Sequence, residues 1–186
     1  MREDVRPLPS AELLRSIFDY NAETGELRWK RKTGATRRDY AFNNRCGGKI
    51  AGSITNGRSK YLVVQFRTEE YRLQVGFYAH RIIWKMVTGR DPPEFIDHRN
   101  GDKLDNRWAN LREATNGENI RNSVLRKDNK TGVKGICWDA HHKKWCAQIS
   151  VAGRQRRIGR FDKIDDAREA IIAARKELHG EFARFI

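Results

Sequence analysis

The sequence predicts an α+β fold made of small antiparallel sheets and a few amphipathic helices. Short runs of apolar and β-branched residues, such as 61–66, are bounded by turn-forming residues. Longer segments, such as 79–88 and 164–178, carry apolar residues at helical spacing. The polar, unpatterned residues 127–131 predict a linker between a first domain over 1–126 and a second domain over 132–186.

Charge limits the classes of partner. The chain holds 38 Lys and Arg against 24 Asp and Glu, a formal net charge of +14. Such a surface attracts polyanions, so nucleic acid, the commonest of them, is the expected partner, and an anionic membrane surface is the main rival. No apolar run is long enough to span a bilayer, and the N-terminus lacks the apolar core of a signal peptide. We therefore expect a cytoplasmic protein that does not bind membranes.

The cysteines argue against two common frameworks. Cys46, Cys137 and Cys146 are odd in number, and no two stand at the spacing of zinc ligands. Neither a disulfide framework nor a zinc knuckle is expected.

The first domain should alternate helices with short strands. Residues 1–10 are expected to form a loose arm, and Ser10 is expected to cap a helix over 11–20. The basic residues 30–48 lack periodicity and predict a flexible loop. A helix over 79–88 ends at Gly89, the natural C-cap. The predicted strands of this domain are 26–29, 50–54, 61–66 and 71–75.

The second domain should be a three-stranded sheet with one helix. The predicted strands are 134–138, 145–150 and 154–161, and the helix covers 164–178. Alternation along the middle strand directs Trp145, Ala147 and Ile149 to one face, which should pack on the helix. The opposite face then carries polar residues and is free to contact a partner.

Residues 95–121 carry the chemistry and predict a strand–loop–strand–helix unit. Asp97 and His98 end a short apolar run, and an Asn-rich loop follows. Thr115 and Glu118 form a capping box that starts a helix over 116–126, immediately before Asn119.

Residue chemistry in this unit suits phosphodiester hydrolysis, which needs a base to activate water and a cation to stabilise the phosphate. His98 is a suitable base near neutral pH. Asp97 and Asn119 supply the oxygen ligands that Mg²⁺ prefers. Among the loop residues, Asn110 is best placed to hold the backbone beside His98, whereas Asn106 is expected only to shape the loop. His80, at a helix start, is expected to cap or pack.

The run DHRNGDKLDNRWANL at 97–111, with HRIIW before it and ENIRN after it, resembles the HNH endonucleases of phages and group I introns. The resemblance implies a ββα-metal fold, the His-Me finger, over a core motif at 79–126. It implies His98 as general base, Asn110 as the structural middle residue, and Asp97 and Asn119 as ligands of a divalent metal ion, Mg²⁺ or alternatively Mn²⁺. Asn at the third motif position, where many members have His, leaves the metal preference open.

The segment from residue 132 resembles the AP2 DNA-binding domain, through GVKGI at 132–136, KWCAQI at 144–149 and RIGRF at 157–161. The resemblance implies that the sheet enters the DNA major groove while the helix packs behind it. Residues able to contact phosphates or base edges are the expected DNA contacts. These are Lys134, Trp138, Lys144, Gln148, Arg154, Arg157 and Arg160.

These features predict a metal-dependent endonuclease that acts on double-stranded DNA. We expect it to be encoded by a phage or mobile element of a bacterial host. One active site per chain indicates a monomer that nicks one strand, and no obligate protein partner is evident. Two alternatives stay open: a DNA-binding regulator with an inactive nuclease remnant, and a structural or RNA-binding basic protein.

Overall fold

The computed structural model describes residues 7–57, 60–67, 74–123, 125, 127–151 and 153–183. Within these ranges the fold is mixed α/β, with helices and small antiparallel sheets of two or three strands. Two compact units, 1–113 and 114–186, make up the chain. The division precedes the predicted linker at 127–131, because the helix that follows Thr115 is grouped with the C-terminal sheet.

The first unit begins with helix α1 (Ala11–Ile17) and the hairpin of β1 (Phe18–Tyr20) and β2 (Leu27–Trp29). The Ser10 hydroxyl accepts a hydrogen bond from the Leu13 amide and caps α1, as predicted. The helix is shorter than the predicted 11–20 because Phe18 pairs with Trp29 and is fully buried.

Helix α2 (Arg37–Arg45) lies where the sequence predicts a flexible loop. Thr36 caps it, its hydroxyl accepting from the Asp39 amide at 3.2 Å. None of its residues is buried. A helix without a buried face has no apolar stripe, so the periodicity that would have predicted it is absent.

A three-stranded sheet and one helix complete the core of this unit. The strands are β3 (Ser53–Ile54), β4 (Leu62–Phe66) and β5 (Val75–Tyr78), and β4 lies in the middle. The predicted strand at 71–75 falls largely on residues 71–73, which lie outside the described ranges. Helix α3 (Ala79–Thr88) has the predicted bounds and ends at Gly89 in the left-handed conformation. Its buried Ile82 and Ile83 pack with Leu14, Phe18 and Val64.

Strands β6 (Phe95–His98) and β7 (Leu111–Ala114) pair as a two-stranded sheet. The residues between them form an irregular loop that ends in a single 3-10 turn, Trp108–Asn110. Both ends of this loop are therefore held by strand pairing, while its centre depends on side-chain hydrogen bonds.

The second unit contains α4 (Asn116–Asn122), β8 (Ile136–Asp139), β9 (Lys144–Val151), β10 (Arg154–Phe161) and α5 (Ile164–His179). The strand order is β10-β9-β8. Ala147 and Ile149 of β9 are buried against Ala167 and Ile171 of α5, with Trp145 packed beside them, as strand alternation predicts.

Gly135 lies just before β8, and we expect its replacement by alanine to lower the stability of the protein strongly. Its φ is +85°, and a Cβ atom there would collide with the Gln148 carbonyl oxygen. Gly153 has a similar φ of +77° but open space around the same point. Gly135→Ala should therefore cost well over the 1–2 kcal/mol (roughly) of left-handed strain that Gly153→Ala should cost. Urea unfolding of both full-length variants measures the difference, and equal losses would contradict the collision.

Candidate active site and DNA interface

Asp97 and His98 are neighbours at the end of β6, and both are almost fully buried, at 5% and 4% exposure. Successive residues of a strand point to opposite faces. Their side chains accordingly contact different groups, and each needs its own account.

The Asp97 carboxylate is held by Arg112 of β7. The Arg112 Nε and an η-nitrogen lie 2.9 Å and 2.8 Å from Asp97 Oδ2, and both residues are buried. A buried ion pair of this kind is costly to break, because removing either charge would leave the other without compensation. Sequence reasoning missed Arg112, which is fifteen positions from Asp97 and reaches it only through the pairing of β6 with β7.

His98 faces Asn106, whose Oδ1 lies 3.3 Å from the imidazole Nε2. An amide oxygen can only accept, so this contact places a proton on Nε2 and leaves Nδ1 as the basic nitrogen of the neutral ring. Burial lowers the pKa of His98, against the opposing effects of the Asn106 contact and of Asp97. The side chain is therefore neutral at pH 7, the form that a general base requires.

Asn106 has a larger role than the loop-shaping one expected from the sequence. It is 2% exposed, and its Nδ2 donates to the Leu104 carbonyl while its Oδ1 meets His98. The orientation of the amide is thus set from both ends, which fixes the tautomer of the imidazole.

A cluster of aromatic rings lies beside His98. The His80 ring meets the His98 ring edge-on, with centroids 5.2 Å apart, and Tyr61 and Tyr78 pack on His80. Burial, followed by the neighbouring His98, lowers the pKa of His80 to about 3, so His80 is neutral as well. His80 therefore packs against neighbouring rings, one of the two roles that the sequence analysis expected. The Lys103 ammonium lies over the Tyr61 ring, 4.7 Å from its centroid.

Asn110 holds the loop that follows His98. Its Oδ1 accepts from the Asn100 amide at 3.0 Å, and its Nδ2 donates to the Asp105 carbonyl at 2.7 Å. Its own carbonyl accepts from the Arg99 amide. Asp105 adds an ion pair with Arg107, and the hydrogen bond from that guanidinium lowers the Asp105 pKa to about 2.

The turn between β1 and β2 supports the same loop from outside. Tyr20 Oη donates to the Asn106 carbonyl at 2.8 Å, and the Trp108 amide donates to the Ala22 carbonyl at 3.1 Å. Burial raises the pKa of Tyr20 to about 12, so the hydroxyl stays a donor. Neither contact is visible in the sequence, since 86 positions separate Tyr20 from Asn106.

Asn119 lies in α4, which belongs to the second unit. The Thr115 hydroxyl accepts from the Glu118 amide while the Glu118 carboxylate accepts from the Thr115 amide, forming the predicted capping box. This cap fixes the register of the helix and leaves the Asn119 side chain half-buried in its middle.

Strand register sorts the predicted DNA contacts of the second unit. Residues directly opposite each other share a face, so the side of the sheet away from α5, termed here the outer face, can be traced. In the strand register, Gln148 lies opposite Arg157, and Cys146 lies opposite Cys137 on β8 and Arg160 on β10. The predicted contacts on the outer face are Lys144, Gln148, Arg157 and Arg160.

Two of these four side chains already have acidic partners. Lys144 pairs with Asp162 at 3.2 Å, and Arg160 Nε pairs with Asp139 Oδ2 at 2.9 Å. The second pair joins β10 to β8 across the middle strand, in which Cys146 is buried. Gln148 and Arg157 are both exposed and lie side by side at the centre of the outer face.

The remaining three predicted contacts lie elsewhere. Trp138 is paired with Trp145, and Arg154 with Val151, which places both on the side of α5. Lys134 Nζ donates to the Arg121 and Ser123 carbonyls and to the Ser123 hydroxyl. These bonds tie Lys134 to the end of α4.

The family model described as HNH endonuclease matches residues 77–121, a range that includes Asp97, His98, Asn110 and Asn119. Protein 3.8 of Escherichia phage T7 is 34% identical over 107 residues, covering 57% of this chain and 88% of that protein. The chain belongs to the HNH endonuclease family. No solved structure matches. An HNH domain is a nuclease domain and implies DNA as substrate.

The residue types predicted to bind metal suit a hard divalent cation. Asp97 has a carboxylate, whose Oδ2 already contacts Arg112, and Asn119 has an amide oxygen. Among the described residues no three His, Cys, Asp or Glu side chains form a metal cluster. A site that uses one carboxylate and one amide leaves most positions to water and substrate phosphate, as Mg²⁺ favours.

None of the described helices of this HNH family member has the length and apolar character needed to cross a membrane.

Proposed function

We propose that the chain is a metal-dependent DNA endonuclease that nicks one strand as a monomer. The observation that supports this most is the buried Asp97–His98 pair, in which the two side chains have separate partners and the imidazole is neutral. Such a pair assigns the two functions of hydrolysis, cation binding and water activation, to adjacent residues on opposite faces of one strand.

His98 is the proposed general base. With Nε2 held by Asn106, the Nδ1 nitrogen accepts the proton of the attacking water. Asp97 and Asn119 would hold the divalent cation, Mg²⁺ or Mn²⁺, which when bound stabilises charge on the phosphate and the leaving oxygen. Arg112 holds the Asp97 carboxylate in position, and Asn110 keeps the loop after His98 in place.

A nicking assay tests this proposal. Purified protein should convert supercoiled plasmid to the open circular form in the presence of Mg²⁺, and excess EDTA should stop the conversion. Adding Mg²⁺ or Mn²⁺ beyond the EDTA should restore it. Cleavage that resists EDTA would refute the metal-dependent mechanism, and the absence of nicking with either metal would refute the nuclease activity.

A DNA-binding protein that does not cleave is the second candidate. The Arg112 contact favours it, because a guanidinium 2.8 Å from Asp97 Oδ2 already neutralises the carboxylate that would attract a metal ion. Under this alternative the duplex is bound but left intact in the same assay.

The AP2-like sheet is the proposed sequence-reading module, with Gln148 and Arg157 at its centre and Lys144 and Arg160 beside them. Exposed Arg and Gln side chains on a sheet face can bond base edges in the major groove. The +14 charge of the chain would add a sequence-independent attraction to phosphates.

Arg157→Gln is expected to weaken specific DNA binding by about 1–3 kcal/mol and to relax the preference for the bound sequence. Arg156→Gln is the matched control, since it removes the same charge from the next residue of β10, on the side of α5. Fluorescence anisotropy with specific and random duplexes over a range of salt concentrations compares the two variants. Equal losses for both variants would contradict the outer face as the reading surface.

A further inference from the structure

A cleft of about 620 Å³ lies within the second unit. Its walls come from the end of α4, the segment that follows it, the start of β8, and the C-terminal half of α5. The volume falls in the range of roughly 300–1,000 Å³ that is typical of small-molecule sites.

The charges of this cleft are unbalanced. Four Lys and Arg side chains line it, and Asp128 is the acidic residue among the lining side chains. The four cations are Arg121, Lys130, Lys134 and Arg175. Arg175 is only 7% exposed, and burial lowers its pKa. Cations gathered in a partly desolvated cleft repel one another, so an anion bound among them would stabilise the unit.

Buried polar atoms without a hydrogen-bond partner among the described residues include Arg121 Nε and His179 Nδ1 of the lining. His179 Nε2 meets the Ser150 carbonyl at 3.0 Å, and a carbonyl can only accept, so Nε2 carries the proton. Burial and, more weakly, the charges of Arg175, Arg121 and Lys134 lower the pKa of His179 against the raising effect of the Ser150 hydrogen bond, so the ring is neutral at pH 7.

Lys134 and Arg121 have different roles in this arrangement. The Lys134 ammonium is directed to the carbonyls at the end of α4, so it secures the helix and adds charge. The Arg121 side chain keeps 29% of its surface exposed, and its nearest acidic group is Glu118 at 3.8 Å. Its guanidinium can therefore turn to a ligand in the cleft.

We propose that this cleft binds the phosphate group of a phosphate ester, with Arg121 and Arg175 as its principal contacts. A guanidinium fork matches phosphate geometry, and charge-assisted bonds of this kind are stronger than neutral ones. The cleft is larger than a phosphate needs, and Ile120, Leu125 and Ile136 offer an apolar wall for the rest of the ester. The ester belongs either to a free mononucleotide or to a DNA strand. The site does not use Asp97 or His98 and goes beyond the proposed cleavage reaction.

Binding measurements on the full chain in EDTA test this site without any cleavage. One arm titrates deoxyadenosine monophosphate by calorimetry, and the other titrates a duplex by anisotropy over a range of salt concentrations. Arg121→Gln should weaken the ligand that occupies the cleft about tenfold or more. Lys176→Gln, which removes the same charge from an exposed position of α5 outside the cleft, should bind as the wild type does.

The two arms separate the sources of the phosphate. A loss confined to the mononucleotide identifies a free nucleotide, whereas a weaker duplex affinity with a salt slope reduced by about 1 identifies the DNA backbone. Unfolding temperatures without ligand establish that Arg121→Gln is folded, and Lys130→Gln, at an exposed lining residue, repeats the test if it is not. Wild-type affinity for both ligands in a folded cleft variant would overturn the proposal, whether or not the chain cleaves DNA.

Discussion

Replacing His98 with alanine is expected to lower the rate of DNA cleavage by about 10²–10⁴-fold, the usual contribution of a general base. The loss is expected because the substitution removes Nδ1, the ring nitrogen that the Asn106 contact leaves basic. Duplex affinity should stay nearly unchanged, because a buried neutral ring makes no ionic contact with phosphate. Single-turnover cleavage of supercoiled plasmid and anisotropy in EDTA measure the two quantities separately.

Controls for this substitution must separate chemistry from folding. His98 is 4% exposed, so alanine leaves a cavity, whereas His98→Asn keeps a polar side chain of intermediate size. Both variants should lose cleavage, even where circular dichroism shows wild-type structure. His141→Ala, at an exposed position of the β8–β9 turn, should cleave at the wild-type rate. A folded His98→Asn variant that also cleaves at that rate would remove His98 from the mechanism.

Local signals in the sequence were sufficient for much of the fold. Helix α3 has the predicted bounds, because its apolar face and Gly89 are both local features. The capping box of Thr115 and Glu118 correctly placed the start of α4, although the helix ends at Asn122, before the predicted residue 126. Alternation along β9 correctly separated the buried side of the sheet from its polar side.

Contacts between distant segments could not be predicted in the same way. Arg112 reads as one charged residue of a short strand, and only the pairing of β6 with β7 brings it to Asp97. Asn106 looks like a turn former in sequence, yet its burial beside His98 arises from the path of the whole loop. Helix α2 was missed for another reason, since a helix that buries no residue leaves no periodic pattern.

The N-terminal hairpin gives the second large expected effect. Gly25 has a φ of +76°, and a Cβ atom there would lie 2.5 Å from the Arg107 nitrogen and 2.7 Å from the Asn106 carbonyl carbon. Both neighbours are backbone atoms and cannot move aside as a flexible side chain would. Gly25→Ala should therefore displace the loop that carries Asn106, and with it the group that fixes the His98 tautomer.

Gly89→Ala is the matched control for Gly25→Ala. Its φ of +72° imposes nearly the same left-handed strain, roughly 1–2 kcal/mol, but no atom lies within 4 Å of the added Cβ. We expect Gly89→Ala to lose that much stability and to keep its cleavage rate. Gly25→Ala should lose more stability and, under conditions where it is folded, should cleave at least about tenfold more slowly, because small misplacements of a catalytic group are costly.

A third variant separates misplacement of the catalytic loop from a general loss of packing. Tyr20→Phe removes only the hydroxyl that donates to the Asn106 carbonyl, at a cost of about 1 kcal/mol. If the hairpin positions the catalytic loop, Tyr20→Phe should lower the single-turnover rate while leaving duplex affinity in EDTA unchanged. Equal cleavage rates for folded Gly25→Ala, Gly89→Ala and Tyr20→Phe would mean that the hairpin stabilises the unit but does not position His98.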